Sequence, residues 1–378
     1  MKFQTITKFA FLAFFLLTVA FLSSCTSDSD NKDEKVFSYK DFLPPSKGGR
    51  GEILLQMDSS KWEGDLGAAV RELYMTPMPG FPQPAEPIFK LYHAAPKKVN
   101  DLLDEYHSIF VVLSLESKSY DSDILRKKFS KESLDRIEAD TTPYLIVKQD
   151  EHAKNQQVVY LIGKDDEQLI KHMKANEEKL REIFYKTERE RSYLVAFRGG
   201  KQTGRMQRYE KEHGFKLGIP DGYQEAKDII ITNKQKQDSG FVFMRLIDNA
   251  NGRDRNIFVA YKPYTSQGQL NADSVLAWRR ELGEKYMKDP DRGSYVTDQT
   301  DVMPYFSQEI NFKGHYAIEI RALWKLTSLT SGGPFLGYLI VDEKKNRLYY
   351  IEGFIFAPTS KKRDYIREVE SILWTFEL

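Results

Sequence analysis

The sequence predicts a layered α/β domain followed by an antiparallel α+β domain. Three observations carry this. Between residues 51 and 200, short apolar runs alternate with amphipathic stretches, the pattern of a sheet with covering helices. Between residues 201 and 378, β-type runs follow one another as hairpins, and an amphipathic helix ends the chain. An apolar content of 41% beside 29% charged residues suits a globular chain, and its 378 residues can fill full cores without disulfides.

In the first domain, residues 53–57 read as a strand. Ser60 and Glu63 have capping-box spacing, and Trp62, Leu66, Ala69, Val70 and Leu73 fall on one helical face. Trp62 and Glu63 read as a core anchor and a cap, with a pocket beyond the strand end as the alternative. Five prolines at 77, 79, 82, 84 and 87 predict a stiff, extended polyproline II crossover, or else a recognition segment. Residues 88–92 and 109–115 read as strands, with a helix over 96–106 between them. Residues 117–142 are polar, helical or irregular. Residues 144–148 and 158–162 read as two more strands. Asp165 opens a helix to about residue 185, and helical character returns at 205–212. The glycines at 199, 200 and 204 break it. They do not make a phosphate loop, because Gln202 interrupts the Gly-Lys-Thr and no strand precedes it. Basic residues exceed acids eight to four between 186 and 212. That reads as a solvated face, or one that touches acidic glycans or headgroups.

In the second domain, residues 214–223 predict a strand and turn. Residues 229–232, 240–247 and 256–261 read as strands, and 270–287 as a helix with Leu270, Val275, Trp278, Leu282 and Tyr286 inward. Residues 309–312 and 315–324 form a hairpin. Within it Tyr316, Ile318, Ile320 and Trp324 alternate with Glu319 and Arg321, as in a half-buried strand. Ser331, Gly332, Gly333 and Pro334 read as a turn into a second hairpin, 335–341 with 347–356. Tyr365, Ile366, Val369, Ile372, Leu373 and Phe376 share the face of the last helix.

The N-terminus predicts an address. Lys2 and Lys8 precede an apolar run over 9–22, too short for the about 20 residues of a spanning helix, so residues 1–24 read as a signal peptide. Leu22-Ser23-Ser24-Cys25 resembles the bacterial lipobox, which implies cleavage between Ser24 and Cys25 and lipidation of Cys25. Cys25 is the only cysteine of the chain, and lipidation accounts for an otherwise unpaired thiol. Residues 25–50 then form a polar tether. The expected location is the outer membrane, facing the periplasm or the cell surface. Beyond the leader the charge is near neutral, which together with export argues against nucleic acid as a partner.

Catalytic motifs are sparse. The six histidines show neither His-x-His nor HExxH spacing, so no metal is expected, nor any other cofactor. No Gly-x-Ser-x-Gly elbow occurs. The best polar constellation is Glu319, Arg321 and Glu352, near Trp324 and the Gly332-Gly333-Pro334 segment. If the two hairpins pair, Arg321 lies across from Glu352. This is a cross-strand ion pair, or else a carboxylate pair tuned by an arginine, as in a glycan-processing enzyme or other hydrolase.

Several patches together resemble a known family. They are Trp62-Glu63-Gly64, residues 79–84 (PGFPQP), residues 188–191 (ERER), residues 316–324 (YAIEIRALW), residues 332–335 (GGPF) and residues 351–358 (IEGFIFAP). The likeness is to the Bacteroidetes lipoproteins of domain of unknown function 4837, and it implies an envelope address over the whole mature chain without implying a reaction. The order of elements from 215 onward is also similar to the PsbP-like fold, which implies a binding or assembly-helper module. The expected function is therefore a membrane-anchored envelope lipoprotein, more a binding module than an enzyme, with an envelope protein or a glycan as partner. Trp62, Arg321, Trp324, Gly332, Gly333, Pro334 and Glu352 are the candidate binding residues.

Overall fold

A computed structural model describes residues 38–235, 238–289, 291–328 and 330–378. The expected leader, the expected Ser24/Cys25 processing site and residues 25–37 of the expected tether lie outside the described residues; residues 45–50 are not a tether, since Pro45 and Lys47 bridge to Lys154 and Tyr106 beside the first sheet. The chain divides into two units at Phe42. In the first, the described residues form a single 3-10 turn, Tyr39–Phe42, closed by the Ser38 N–H donating to Asp41 at 2.7 Å. All other elements belong to the second.

The first sheet contains β1 (Glu52–Gln56), β2 (Lys90–Ala94), β3 (Ser108–Ser114), β4 (Tyr144–Gln149) and β5 (Gln157–Gly163), in the order β2-β1-β3-β5-β4. All pairs are parallel except β4 with β5. Its helices are α1 (Ser59–Glu63), α2 (Asp65–Tyr74), α3 (Asp101–Asp104), α4 (Tyr120–Arg126), α5 (Lys131–Ala139), α6 (Asp166–Ala175) and α7 (Glu177–Ala196), with α8 (Thr203–His213) leading onward. Strands β3 and β5 are buried at every position, as central strands covered on both faces must be.

Several local expectations change. The cap of the first helix is Asp58, whose carboxylate accepts from the Ser60 N–H at 2.9 Å, and the helix breaks at Gly64. The helix expected over 96–106 contracts to a 3-10 turn, Pro96–Lys98, and α3. Asp165 opens α6 as predicted, accepting from Gln168 N–H at 2.8 Å, but Asn176 ends it and α7 starts afresh. The polar stretch 117–142 resolves into α4 and α5, opened by Ser119 and Ser130. The proline segment is not extended. The Met78 N–H donates to Glu86 C=O and the Ile88 N–H to Thr76 C=O, both at 2.8 Å, closing a loop that buries Met78 and Phe81. At its tip Gly80 adopts φ +72°, and a Cβ there would lie 2.7 Å from the Arg321 backbone. The loop is thus seated on the second sheet.

That sheet contains β6 (Gln224–Thr232), β7 (Asp238–Asp248), β8 (Arg253–Pro263), β9 (Val296–Asp298), β10 (Phe306–Phe312), β11 (His315–Leu326), β12 (Gly332–Asp342) and β13 (Arg347–Phe356). The order is β10-β11-β12-β13-β8-β7-β6, all antiparallel, with β9 on the end of β11. Helix α9 (Ala272–Tyr286) covers one face through Val275, Leu276, Trp278 and Leu282. Helix α10 (Arg363–Leu373) covers the other through Ile366, Val369, Ile372 and Leu373. Residues 215–223 form no ladder strand; Lys216 makes an isolated bridge with Glu377. Gly332, Gly333 and Pro334 are not a turn but the start of β12, paired with Lys325, Trp324 and Leu323.

The architecture is therefore α/β plus α+β. One apolar core runs from Ile53, Leu161 and Phe184 to Tyr349 and Phe376 and joins both sheets. Helix α10 lies at this junction. Arg363 donates to Arg50 C=O at 3.0 Å and Arg367 to Ile88 C=O on one side, while Glu368 pairs with Arg255 at 3.1 Å and Glu370 with Arg321 at 2.9 Å on the other. Among the described residues no helix is long and apolar enough to cross a membrane.

Candidate binding cleft

Strand alternation decides which predicted residues meet. On β11, Glu319 and Arg321 face α10, while Ile318, Ile320 and Trp324 join the core under α9. Arg321 pairs through Leu336 with Gly353, so Glu352 is one residue out of step. A one-residue step places a side chain on the opposite face of a sheet. Glu352 accordingly points to α9. There Arg279 donates to both its oxygens at 2.7 and 2.8 Å, and the Tyr350 hydroxyl donates at 2.5 Å. Both partners of this pair are fully buried. Burial raises the Glu352 carboxyl, and the Arg279 guanidinium opposes that rise. The expected Arg321–Glu352 pairing does not exist, and no carboxylate pair is formed from Glu319 and Glu352.

Trp324 is also internal. Its Nε1 donates to Ile355 C=O at 2.9 Å. A Cβ on Gly333 would lie 2.2 Å from that same oxygen, so the Gly332-Gly333-Pro334 segment lets two strands approach closely and offers no binding loop. Trp62 stacks on His93 at 5.1 Å, with Arg71 at 4.4 Å from its ring. These residues sit at the carboxyl end of the first sheet, where strand order reverses between β1 and β3. That crevice is the usual ligand position in open α/β sheets. Here it is filled. Asp58 accepts from Ser117 and Ser119 at 2.6 Å and from Ser122 at 3.2 Å. Although burial opposes it, this cage brings the Asp58 carboxyl down to about 2.

Arg321, by contrast, leads to an open site. It pairs with Glu319 and donates to Glu370 at 2.9 Å. Glu370 accepts from the Tyr338 hydroxyl at 3.1 Å, and that hydroxyl accepts from Trp374 Nε1 at 3.1 Å. Burial pushes the Glu370 carboxyl up, but Arg321, Arg189 and Arg367 leave it below the usual range. Trp374 and Arg189, whose guanidinium lies 4.0 Å from the indole, then line a cleft of about 670 Å³. Its apolar surface comes from Tyr193, Leu194, Met206 and Leu217, and its cations are Arg189, Lys201, Lys216 and Lys313. Two acids, Glu190 and Glu377, also reach it. Burial lowers the Lys313 ammonium, with Glu377 opposing, and Lys313 donates to Phe376 C=O at 3.2 Å. The basic excess over 186–212 pointed toward this wall; Lys216 falls just past that stretch, and Lys313 and Trp374 carried no signal because they are remote in sequence.

Among the described residues one cluster has the composition of a cation site: ligand atoms of Glu212, His213 and Asp228 lie within 4.8 Å of one another. Both imidazole nitrogens are engaged, one with Tyr261 Oη at 3.0 Å and one with Asp228 at 2.8 Å, and Arg208 pairs with Asp228 at 3.2 Å. A cation would have to displace that guanidinium.

Two family models match the chain. Residues 46–194 match a domain of unknown function, DUF8532, and residues 202–375 match a second, DUF4837. No curated protein matches. The DUF4837 likeness is thus supported over the second segment, while the patches at 62–64, 79–84 and 188–191 lie in the segment that matches DUF8532. The cleft is built by both matched segments, Arg189, Glu190, Tyr193 and Leu194 coming from the first and Lys216, Lys313 and Trp374 from the second.

Proposed function

We propose that this chain is a lipid-anchored envelope protein that binds a ligand in the cation-lined cleft and performs no chemistry on it. The cleft carries the reading: four cations gather around apolar side chains in a volume typical of small-molecule sites. The hydrolase alternative loses its support, since Glu319 and Glu352 lie on opposite faces of the sheet and retaining or inverting glycosidases need carboxylates about 5–10 Å apart across one bond. Similarity in element order to the PsbP-like fold agrees with a binding role by analogy alone. The lipobox-like Leu22-Ser23-Ser24-Cys25 supports the anchor, and the resemblance to Bacteroidetes lipoproteins supports an outer-membrane address. The ligand comes from the envelope and is not nucleic acid.

Native mass spectrometry of the protein released from its own membranes tests this. A non-covalent species that leaves on denaturation is expected in the natural chain and absent from the K201E/K216E variant. A clean mass for the natural chain would overturn the binding reading. An unmodified Cys25 peptide in the same digest would overturn the anchor.

A further inference from the structure

The cleft has features that narrow the chemistry of what enters it. Four cations line the cleft beside two acids; two of the cations are already paired, Arg189 with Glu182 at 3.5 Å and Lys216 with Glu210 at 3.4 Å, so the open positive charge is that of Lys201 and Lys313. Part of the cationic lining is held in place rather than free to follow solvent. Arg189 lies over Trp374 at 4.0 Å, and Lys201 lies 5.4 Å from both the Tyr193 and Phe197 rings. The Arg189 Nε is buried without a hydrogen-bond acceptor. A buried donor left unpaired costs about 1–3 kcal/mol.

The apolar part is equally selective. Sugars are held by stacking on bare aromatic faces, and this cleft has none at Trp374. Arg189 at 4.0 Å and Phe312 at 4.6 Å are both too close to share one face of the indole, so they cover both. Tyr193 is packed against Phe197 at 4.4 Å. The remaining apolar surface is aliphatic and thioether, from Leu194, Met206 and Leu217. Leu194 is 59% exposed, large apolar surface that a ligand would cover.

On these grounds we infer that the cleft takes a single-chain anionic amphiphile, with a carboxylate or phosphate head among Arg189, Lys201, Lys216 and Lys313 and an aliphatic tail along Leu194, Met206 and Leu217. This rests on the binding reading above and names its ligand class. Arg189 supplies a planar, multi-donor group for the head, and the lysines supply charge. The tail contributes through burial, so affinity rises by about three- to fourfold for each methylene that enters the cleft.

The test uses the mature chain with methyl-labelled methionine, followed by NMR, with M206L assigning the Met206 signal. Dodecanoate and dodecyl phosphate, below their micelle concentrations, are expected to shift that signal saturably. Octanoate is expected to bind at least tenfold more weakly, and inorganic phosphate not measurably. The K201E/K216E variant changes two exposed side chains, so its melting temperature should stay within a few degrees while dodecanoate affinity falls at least tenfold. Added salt should weaken binding in the natural chain. The carboxylate and phosphate arms rank the two head groups. Equal binding of dodecyl maltoside or dodecyltrimethylammonium would overturn the inference, as would dodecanoate binding unchanged in the double variant. So would tighter binding of an acidic oligosaccharide, or no response to either anionic amphiphile. A ligand found by native mass spectrometry but held without regard to charge would leave the binding reading standing and remove this one.

Discussion

Arg279 and Glu352 form an ion pair with no solvent exposure on either side. Removing one partner strands a charge in an apolar site, whereas replacing both with apolar groups is often tolerated. E352A is therefore expected to lose about 3–5 kcal/mol in urea unfolding, and R279M/E352M to regain most of it. A double variant no better than E352A would show that the pair is not coupled. His107 makes a second prediction. Burial and then the neighbouring Arg191 charge bring this imidazole from 6.5 down to about 4. Its neutral form contacts Gly49 C=O at 2.7 Å. The folded state thus resists a proton that the unfolded chain accepts below about 6.5. The stability tied to this group is complete above that pH and declines as pH falls toward 4, by about 3 kcal/mol in all. Asp58, down at about 2, gives a separate loss below about 4. Urea midpoints measured from pH 7.5 to 3 should show the upper decline in the natural chain and a weaker one in H107Q. An equal decline in both would assign that window to other groups.

At the scale of elements, β12 and β13 depend on one missing side chain. A methyl at residue 333 would meet the Ile355 carbonyl at 2.2 Å, a backbone atom that can yield only if β13 moves. G333A should therefore cost at least about 1–3 kcal/mol, read as a lower melting temperature, while G204A, in helix α8 with open space around it and no positive φ, should cost less. The same strand shows what the sequence could tell. The period-two alternation at 316–324 and the helical face at 365–373 identified β11 and α10, because their apolar residues repeat at the strand and helix periods; that their polar faces are buried as well, through ion pairs, carried no such signal. The inner strands of the first half were legible as short continuous apolar runs, being buried on both faces. Register was not. Nothing local states that Arg321 pairs through Leu336 with Gly353, and this one-residue matter separates Glu352 from Glu319. Glycines at 332 and 333 read as a turn because their local preference is for turns, while the close approach that requires them is tertiary. Asp58 displaced Ser60 as the cap because it also gathers three serines from beyond β3. The cleft was only half visible, through a basic excess over α7, α8 and the loop between them, whose opposite wall comes from residues 216–218, 313 and 371–377.

On the scale of the whole molecule, the core that joins the sheets draws on residues from Ile53 to Phe376. A fragment ending at residue 200 would expose the side of the first sheet that packs there, and a fragment starting at 201 would lose the cover of α7. Each fragment expressed alone is expected to bind a hydrophobic dye and to be cleaved rapidly by protease, while residues 43–378 together unfold in one transition. Two separate transitions in the intact chain would contradict this. Helix α10 makes the dependence sharpest, because nine of its eleven residues are buried and its charges reach both sheets. This helix is also made after every strand of both sheets. On a ribosome adding roughly 5–20 residues per second, the first sheet emerges well before the arginines and glutamates that lock it to the second. During that interval the nascent chain has no finished core to resist threading. On the export route proposed above, a keystone made after both sheets postpones closure until most of the fold has been threaded.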